Sequence, residues 1–113
     1  MTESEMEVIG TDIFWRASKN KSYRDLIRDV FRTMATFLQS NGLTTRELLP
    51  EGAEIDEKFV IRRSDLTEEG YVFYRRVERK WFAAIDRGVS PAKSTVLEKE
   101  LRALRREASP KAP

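Results

Sequence analysis

Residues 22–41 read SYRDLIRDVFRTMATFLQSN, and this stretch decides the fold class. Its apolar side chains recur at intervals of three and four residues and fill one arc of roughly 140° on a helical projection, with charged residues opposite. Ser22 can cap the start of such a helix, and Gly42 suits the left-handed position that ends one. We therefore predict an amphipathic helix over 22–41. Its apolar face comprises Tyr23, Leu26, Ile27, Val30, Phe31, Met34, Phe37 and Leu38.

Two more helices are predicted further along the chain. Residues 67–87 carry an aromatic stripe at helical spacing, with capping-box spacing between Asp65 and Glu68 and with Gly88 at the far end. Residues 94–108 carry a narrow apolar stripe, which is typical of a helix on the surface of a core or paired with another helix. We expect the two long helices to share one buried cluster. Its members are Leu26, Val30, Met34, Val77, Trp81 and Ile85.

The segment between the two long helices has three predicted parts. Residues 43–49 suggest a short helix, because Thr44 and Glu47 have capping-box spacing and Pro50 follows. Residues 51–57 are acidic and contain a glycine, which favours a loop. Residues 58–63, KFVIRR, are the best strand candidate. The expected pairing partner is the 6–14 region, although residues 12–18 could equally form a helical turn.

These elements together predict a mainly α, single-domain helical bundle over 1–113. It has about three helices plus a short helix, with a minor extended or two-stranded β element near 58–63. A length of 113 residues suits one domain with one core. The ends, 1–7 and 109–113, are expected to be flexible because the first is acidic and the second is short, polar and proline-containing.

The composition excludes several classes of chemistry. The chain has no cysteine and no histidine, which excludes disulfides, thiolate nucleophiles, Cys/His zinc sites and Ser-His-Asp triads. Its five glycines are isolated, so no phosphate-binding loop is present. We expect no enzymatic activity, no cofactor and no metal. The acidic start is unlike a signal peptide, and no apolar stretch is long enough to span a membrane, so we expect a cytoplasmic protein without membrane contact.

The charge is nearly balanced overall, with 21 basic and 19 acidic residues, but bases cluster on two predicted helix faces. The candidate binding face on the second long helix consists of Arg75, Arg76, Arg79 and Lys80, near which only Glu78 is acidic. The first helix carries a weaker stripe, because Asp25 and Asp29 can neutralise it. That stripe comprises Arg24, Arg28 and Arg32. Each face could equally be solvated surface. Trp15, in a segment without clear periodicity, is a further candidate as a partner anchor.

Two short motifs resemble parts of winged-helix transcription regulators. Residues 59–74, FVIRRSDLTEEGYVFY, resemble the junction at which the wing strand runs into a Leu-Thr-x-x-Gly sequence that opens a long dimerisation helix. Residues 43–48, LTTREL, resemble the start of a helix-turn-helix. The resemblance implies a nucleic-acid-binding regulator. Pro50 and the acidic loop leave no room for a recognition helix, so no base-contacting residue can be assigned.

The sequence therefore supports two hypotheses from different functional classes. The first is a small cytoplasmic, non-enzymatic protein-interaction or regulatory module of the adaptor or inhibitor type, with an unidentified protein partner or a second copy of itself. The alternative is a nucleic-acid-binding regulator of partial winged-helix character that uses the arginine-rich helix faces.

Overall fold

The computed structural model describes residues 7–10, 21–55, 58–90 and 92–108. The protein is mainly helical, as predicted. Its helices are α1 (Lys21–Ser40), α2 (Glu68–Asp86) and α3 (Thr95–Ala108). The expectations for Trp15, for the side chain of Ser22 and for residues 1–6 and 109–113 fall outside the described residues. None of the helices traced in these ranges is long and apolar enough to cross a membrane.

The core forms where the apolar faces of the three helices meet. Val30, Met34, Val77 and Trp81 are buried as predicted, whereas Leu26 and Ile85 pack against the edge of the cluster and are only partly buried. The Phe37 and Phe73 rings stack across α1 and α2 with centroids 5.5 Å apart. The third helix adds Leu97 and Leu101, both buried, which confirms that its narrow stripe lies on the core.

The strand predicted near 58–63 is present as β2 (Val60–Arg62). It pairs antiparallel with β1 (Glu7–Gly10), which lies in the region expected to supply its partner. The register pairs Ile9 with Ile61 and Gly10 with Val60, and it shifts between Glu7 and Ile9. This pairing satisfies backbone groups that a lone strand would leave open.

The short helix predicted at 43–49 is wrong, and so is the helix-turn-helix start that it implied. The backbone there pairs instead with residues 65–67: Thr45 N donates to Asp65 O at 2.8 Å, and Thr67 N donates to Leu43 O at 3.0 Å. An isolated bridge joins Thr44 and Leu66. Hydrogen bonds to residues 65–67 thus use backbone groups that a helix at 43–49 would need. The capping-box spacing of Thr44 and Glu47 therefore does not start a helix.

The side chain of Gln39, in the last turn of α1, holds the rest of this segment. Its Oε1 accepts hydrogen bonds from the backbone N–H groups of Leu48 and Leu49, each at 2.9 Å. Its Nε2 donates to the Leu49 carbonyl at 2.8 Å. One amide side chain therefore satisfies three backbone groups beside two buried leucines, and the segment needs no regular structure of its own.

The cap of α2 differs from the predicted one. Thr67 caps the helix, because its hydroxyl accepts from the Gly70 N–H at 2.9 Å. Asp65 is buried and instead accepts from the Arg62 N–H at 2.9 Å and from Arg46 Nε at 2.7 Å. The first turn of α2 also lies against the Leu43 carbonyl, because a Cβ atom built on Gly70 would clash with that oxygen. At the far end, Gly88 has φ +100° and closes the helix as predicted.

Candidate binding surface

Two of the four basic residues predicted as a binding face on α2 contact α3. Arg76 Nε lies 3.0 Å from Glu100, and the Arg76 guanidinium grips Glu107 at 3.0 and 2.7 Å. Lys80 Nζ lies 2.7 Å from the other oxygen of Glu100. These two cations therefore join the helices and are not a free positive surface.

Glu100 is the centre of this ion-pair network. Its side chain is only 12% exposed, and the Lys80 and Arg76 hydrogen bonds hold its pKa below the ordinary value. The Arg76 hydrogen bond likewise lowers the pKa of Glu107, and the two carboxylates raise the pKa of Arg76 in return. A further pair, Arg105 with Glu69 at 3.1 Å, joins the end of α3 to the start of α2. Ion pairs thus lie along the seam between α2 and α3.

Replacing Glu100 with glutamine is expected to remove stability in a pH-dependent way. Because the folded-state pKa of Glu100 lies below its unfolded value of about 4.5, its ion pairs stabilise the fold above that value and are lost as the pH falls through the lowered pKa. We expect Glu100→Gln to cost about 1 kcal/mol at neutral pH, since the partner cations are partly exposed. The difference from the parent protein should shrink toward zero as the pH falls through that lowered pKa. Urea unfolding over a pH series measures it.

Glu98→Gln is the matched control for this measurement, because it makes the same change on the same helix. Glu98 is exposed and accepts a hydrogen bond only from the neighbouring Ser94 hydroxyl, at 3.2 Å, among the contacts of the described residues. The Glu98→Gln substitution should therefore change the free energy of unfolding little at any pH. A Glu100→Gln penalty that stays constant down to acid pH would contradict the role given to the ion pairs.

The other two predicted residues of the α2 face point away from the seam. Arg75 is largely exposed and lies 3.4 Å from Glu78 on its own helix. Arg79 is exposed, and the contacts of the described residues include no ion pair for it. The proposed face is therefore reduced to two outward cations, one of them beside a carboxylate. Whether they bind a partner stays a prediction.

The weaker stripe on α1 is neutralised in the way that its sequence suggests. Arg28 lies 3.1 Å from Asp25, and Arg32 lies 3.7 Å from Asp29. Arg24, the third member, is half-buried and also has an interacting partner. Each arginine of this stripe is thus engaged within the protein.

A third basic face, on α3, was missed by the sequence analysis. Lys99, Arg102 and Arg106 are all exposed and line an open depression of about 470 Å³. At 100° per residue they share an arc of roughly 60°, opposite the buried Leu97 and Leu101. Within the described part of the chain, no carboxylate lies within salt-bridge distance of any of the three, and the nearest charge effect is that of Arg106, which helps to lower the pKa of Glu107. We call these three residues the α3 basic row.

The α3 basic row exists because the fold sorts the charges of α3 by direction. Glu100 and Glu107 turn toward α2, so of the three acids of α3 only Glu98, which is hydrogen-bonded to Ser94, remains on the exposed side with the bases. The helix carries four bases and three acids, and this near balance conceals the row. The row could have been found in the sequence from its spacing, because positions 99, 102 and 106 lie on the helix face opposite the leucine stripe.

The local geometry of residues 59–74 agrees with the winged-helix resemblance only in part. A strand, β2, does lead through a short 3-10 turn at Arg63–Asp65 into the long helix α2. The described residues show no recognition helix before it, because residues 43–49 are not helical. In the same ranges, no group of three or more acidic side chains is placed to hold a metal ion.

Compared with known proteins, the chain matches no family model, no curated protein and no solved structure.

Proposed function

We propose that this chain is a non-enzymatic protein-interaction module of the cytoplasm, of the adaptor or inhibitor type, and that it binds an acidic partner through the α3 basic row. The observation that carries the proposal is the sorting of charge on α3, where Glu100 and Glu107 pair with Arg76 on α2 and three exposed bases face outward. A row of exposed charges of one sign attracts an oppositely charged surface and sets its orientation. The absence of histidine and cysteine from the sequence supports a binding role over a catalytic one.

A protein partner is favoured over a nucleic acid by the number of available cations. Nucleic-acid binding draws its affinity from many phosphate contacts. The phosphate-binding surface suggested by the sequence used both long helices, but Arg28, Arg32, Arg76 and Lys80 are engaged in ion pairs within the protein. A row of three cations suits a small contact with a protein better than an extended surface that binds a nucleic-acid backbone.

Capture from an extract of the source cells tests the proposal. The test variant is Arg102→Gln with Arg106→Gln, and the control is Arg87→Gln with Lys93→Gln, which removes the same charge from two exposed bases outside the row. We expect the parent protein and the control to retain the same set of proteins, and the test variant to lose it. Circular dichroism verifies that both variants fold.

Nuclease treatment of the extract separates the two functional classes. Retention that survives nuclease and requires the α3 basic row supports a protein-interaction module. Retention that disappears with nuclease would favour the nucleic-acid alternative. Equal retention by the test variant and the control would show that the row is ordinary solvated surface.

A further inference from the structure

We infer that the segment of the partner seated on the α3 basic row is an acidic, amphipathic α-helix lying alongside α3. This inference rests on the proposed function and names the shape and chemistry of the partner at that same surface. It follows from the spacing of the three cations and from an exposed apolar side chain on the neighbouring helix α2.

The spacing of the row matches a helix better than a strand. Along the axis of α3, the rise from Lys99 to Arg102 is about 4.5 Å and from Arg102 to Arg106 about 6 Å. A second helix repeats residues of one face at the same intervals, so carboxylates three and four positions apart can meet all three cations. An extended strand presents one face every 6.6–6.8 Å or so, which fits one interval and misses the other.

Ion pairs alone would not hold such a helix, because an exposed ion pair contributes little to the free energy of binding. Val72 on α2 supplies an apolar contact: its side chain is 44% exposed, and it is the one exposed large apolar side chain among the described residues. Its place beside the seam follows from its helical neighbours. Glu69 and Arg76, three positions before and four positions after Val72, both contact α3, so Val72 lies on the α2 side of the seam. The surface therefore combines a basic row with an apolar point, which suits an amphipathic helix with acidic and aliphatic residues side by side.

Two synthetic peptides of about 20 residues with identical composition test the inference. In the striped peptide, glutamates follow one helical face beside a row of leucines, whereas in the shuffled peptide they are spread around the helix. We expect the striped peptide to bind about tenfold more tightly, as measured by calorimetry at low salt. Arg102→Gln with Arg106→Gln should weaken its binding about tenfold, Val72→Ser about threefold, and the Arg87 and Lys93 control should leave it unchanged.

Three results would overturn the inference. If both peptides bind equally, the row recognises negative charge regardless of how it is arranged on the helix. If neither peptide binds, an acidic helix is not the partner. In both cases the capture experiment still decides the proposed function independently. Tighter binding of a duplex DNA oligomer than of either peptide, with a steep loss of affinity in salt, would replace the protein partner by a nucleic acid.

Discussion

Replacing Gly70 with alanine is expected to destabilise the protein by roughly 3 kcal/mol or more, as a severe case of overpacking. The alanine Cβ would clash with the carbonyl oxygen and carbon of Leu43, which are backbone atoms with little freedom to move. The same carbonyl accepts hydrogen bonds from the N–H and the hydroxyl of Thr67, so its displacement would also disturb the cap of α2. Helix propensity acts in the opposite direction, because alanine is favoured over glycine in a helix by about 1 kcal/mol.

Urea unfolding compares Gly70→Ala with Gly52→Ala, a control in the exposed turn at residues 51–52. Gly52 has φ +81° with open space around its Cβ position, so alanine there costs only the left-handed backbone strain, about 1 kcal/mol. The expected order is therefore a much larger loss at Gly70 than at Gly52. An unchanged or increased stability of Gly70→Ala would show that α2 does not approach residue 43 as closely as described.

Trp81→Ala is expected to cost about 3–5 kcal/mol, because it removes the largest side chain of the core and leaves a cavity. Trp81 is 1% exposed and lies on the same helical face as Val77 and Tyr74, both also buried. Trp81→Phe should cost clearly less, since it retains most of the apolar volume. It also deletes an indole N–H that is buried with no hydrogen-bond acceptor in the described part of the chain, so no polar contact is lost.

Thermal and urea unfolding by circular dichroism measure these two variants, with Val72→Ala as the control for a residue of the same helix that faces solvent. The control should change stability by no more than about 0.5 kcal/mol. Equal losses for Trp81→Phe and Trp81→Ala would indicate that the indole N–H makes a stabilising polar contact.

The regular elements were predictable because each is specified within its own sequence window. The apolar period of residues 22–41 and 67–87 predicts both long helices, and glycines at 42 and 88 mark their ends. The strand at Val60–Arg62 and its pairing region were also predictable, because a short β-branched run needs a partner. Local pattern and tertiary structure agree at these positions.

The remaining features depend on contacts that no local window contains. Residues 43–49 have the pattern of a capped helix, but their backbone pairs with residues some 20 positions away, and Gln39 satisfies the rest. Gly70 looks like a weak point inside a helix until Leu43 is placed beside it. The candidate site was missed for a related reason. Counting charges along α2 and α3 cannot show that Glu100 takes two cations from one helix and leaves the outer bases of the other unpaired.

As this sequence evolves, a substitution at Glu100 would change the surface charge more than its own single charge suggests. One carboxylate there pairs with both Arg76 and Lys80. A single substitution to a neutral residue would change the formal charge by one unit, free Lys80 and leave Arg76 paired with Glu107 alone. The surface along the seam could thus become more basic in one mutational step, without any new arginine or lysine. Descendants of such a variant would start from a more cationic surface on which a preference for a different class of anionic partner could be selected.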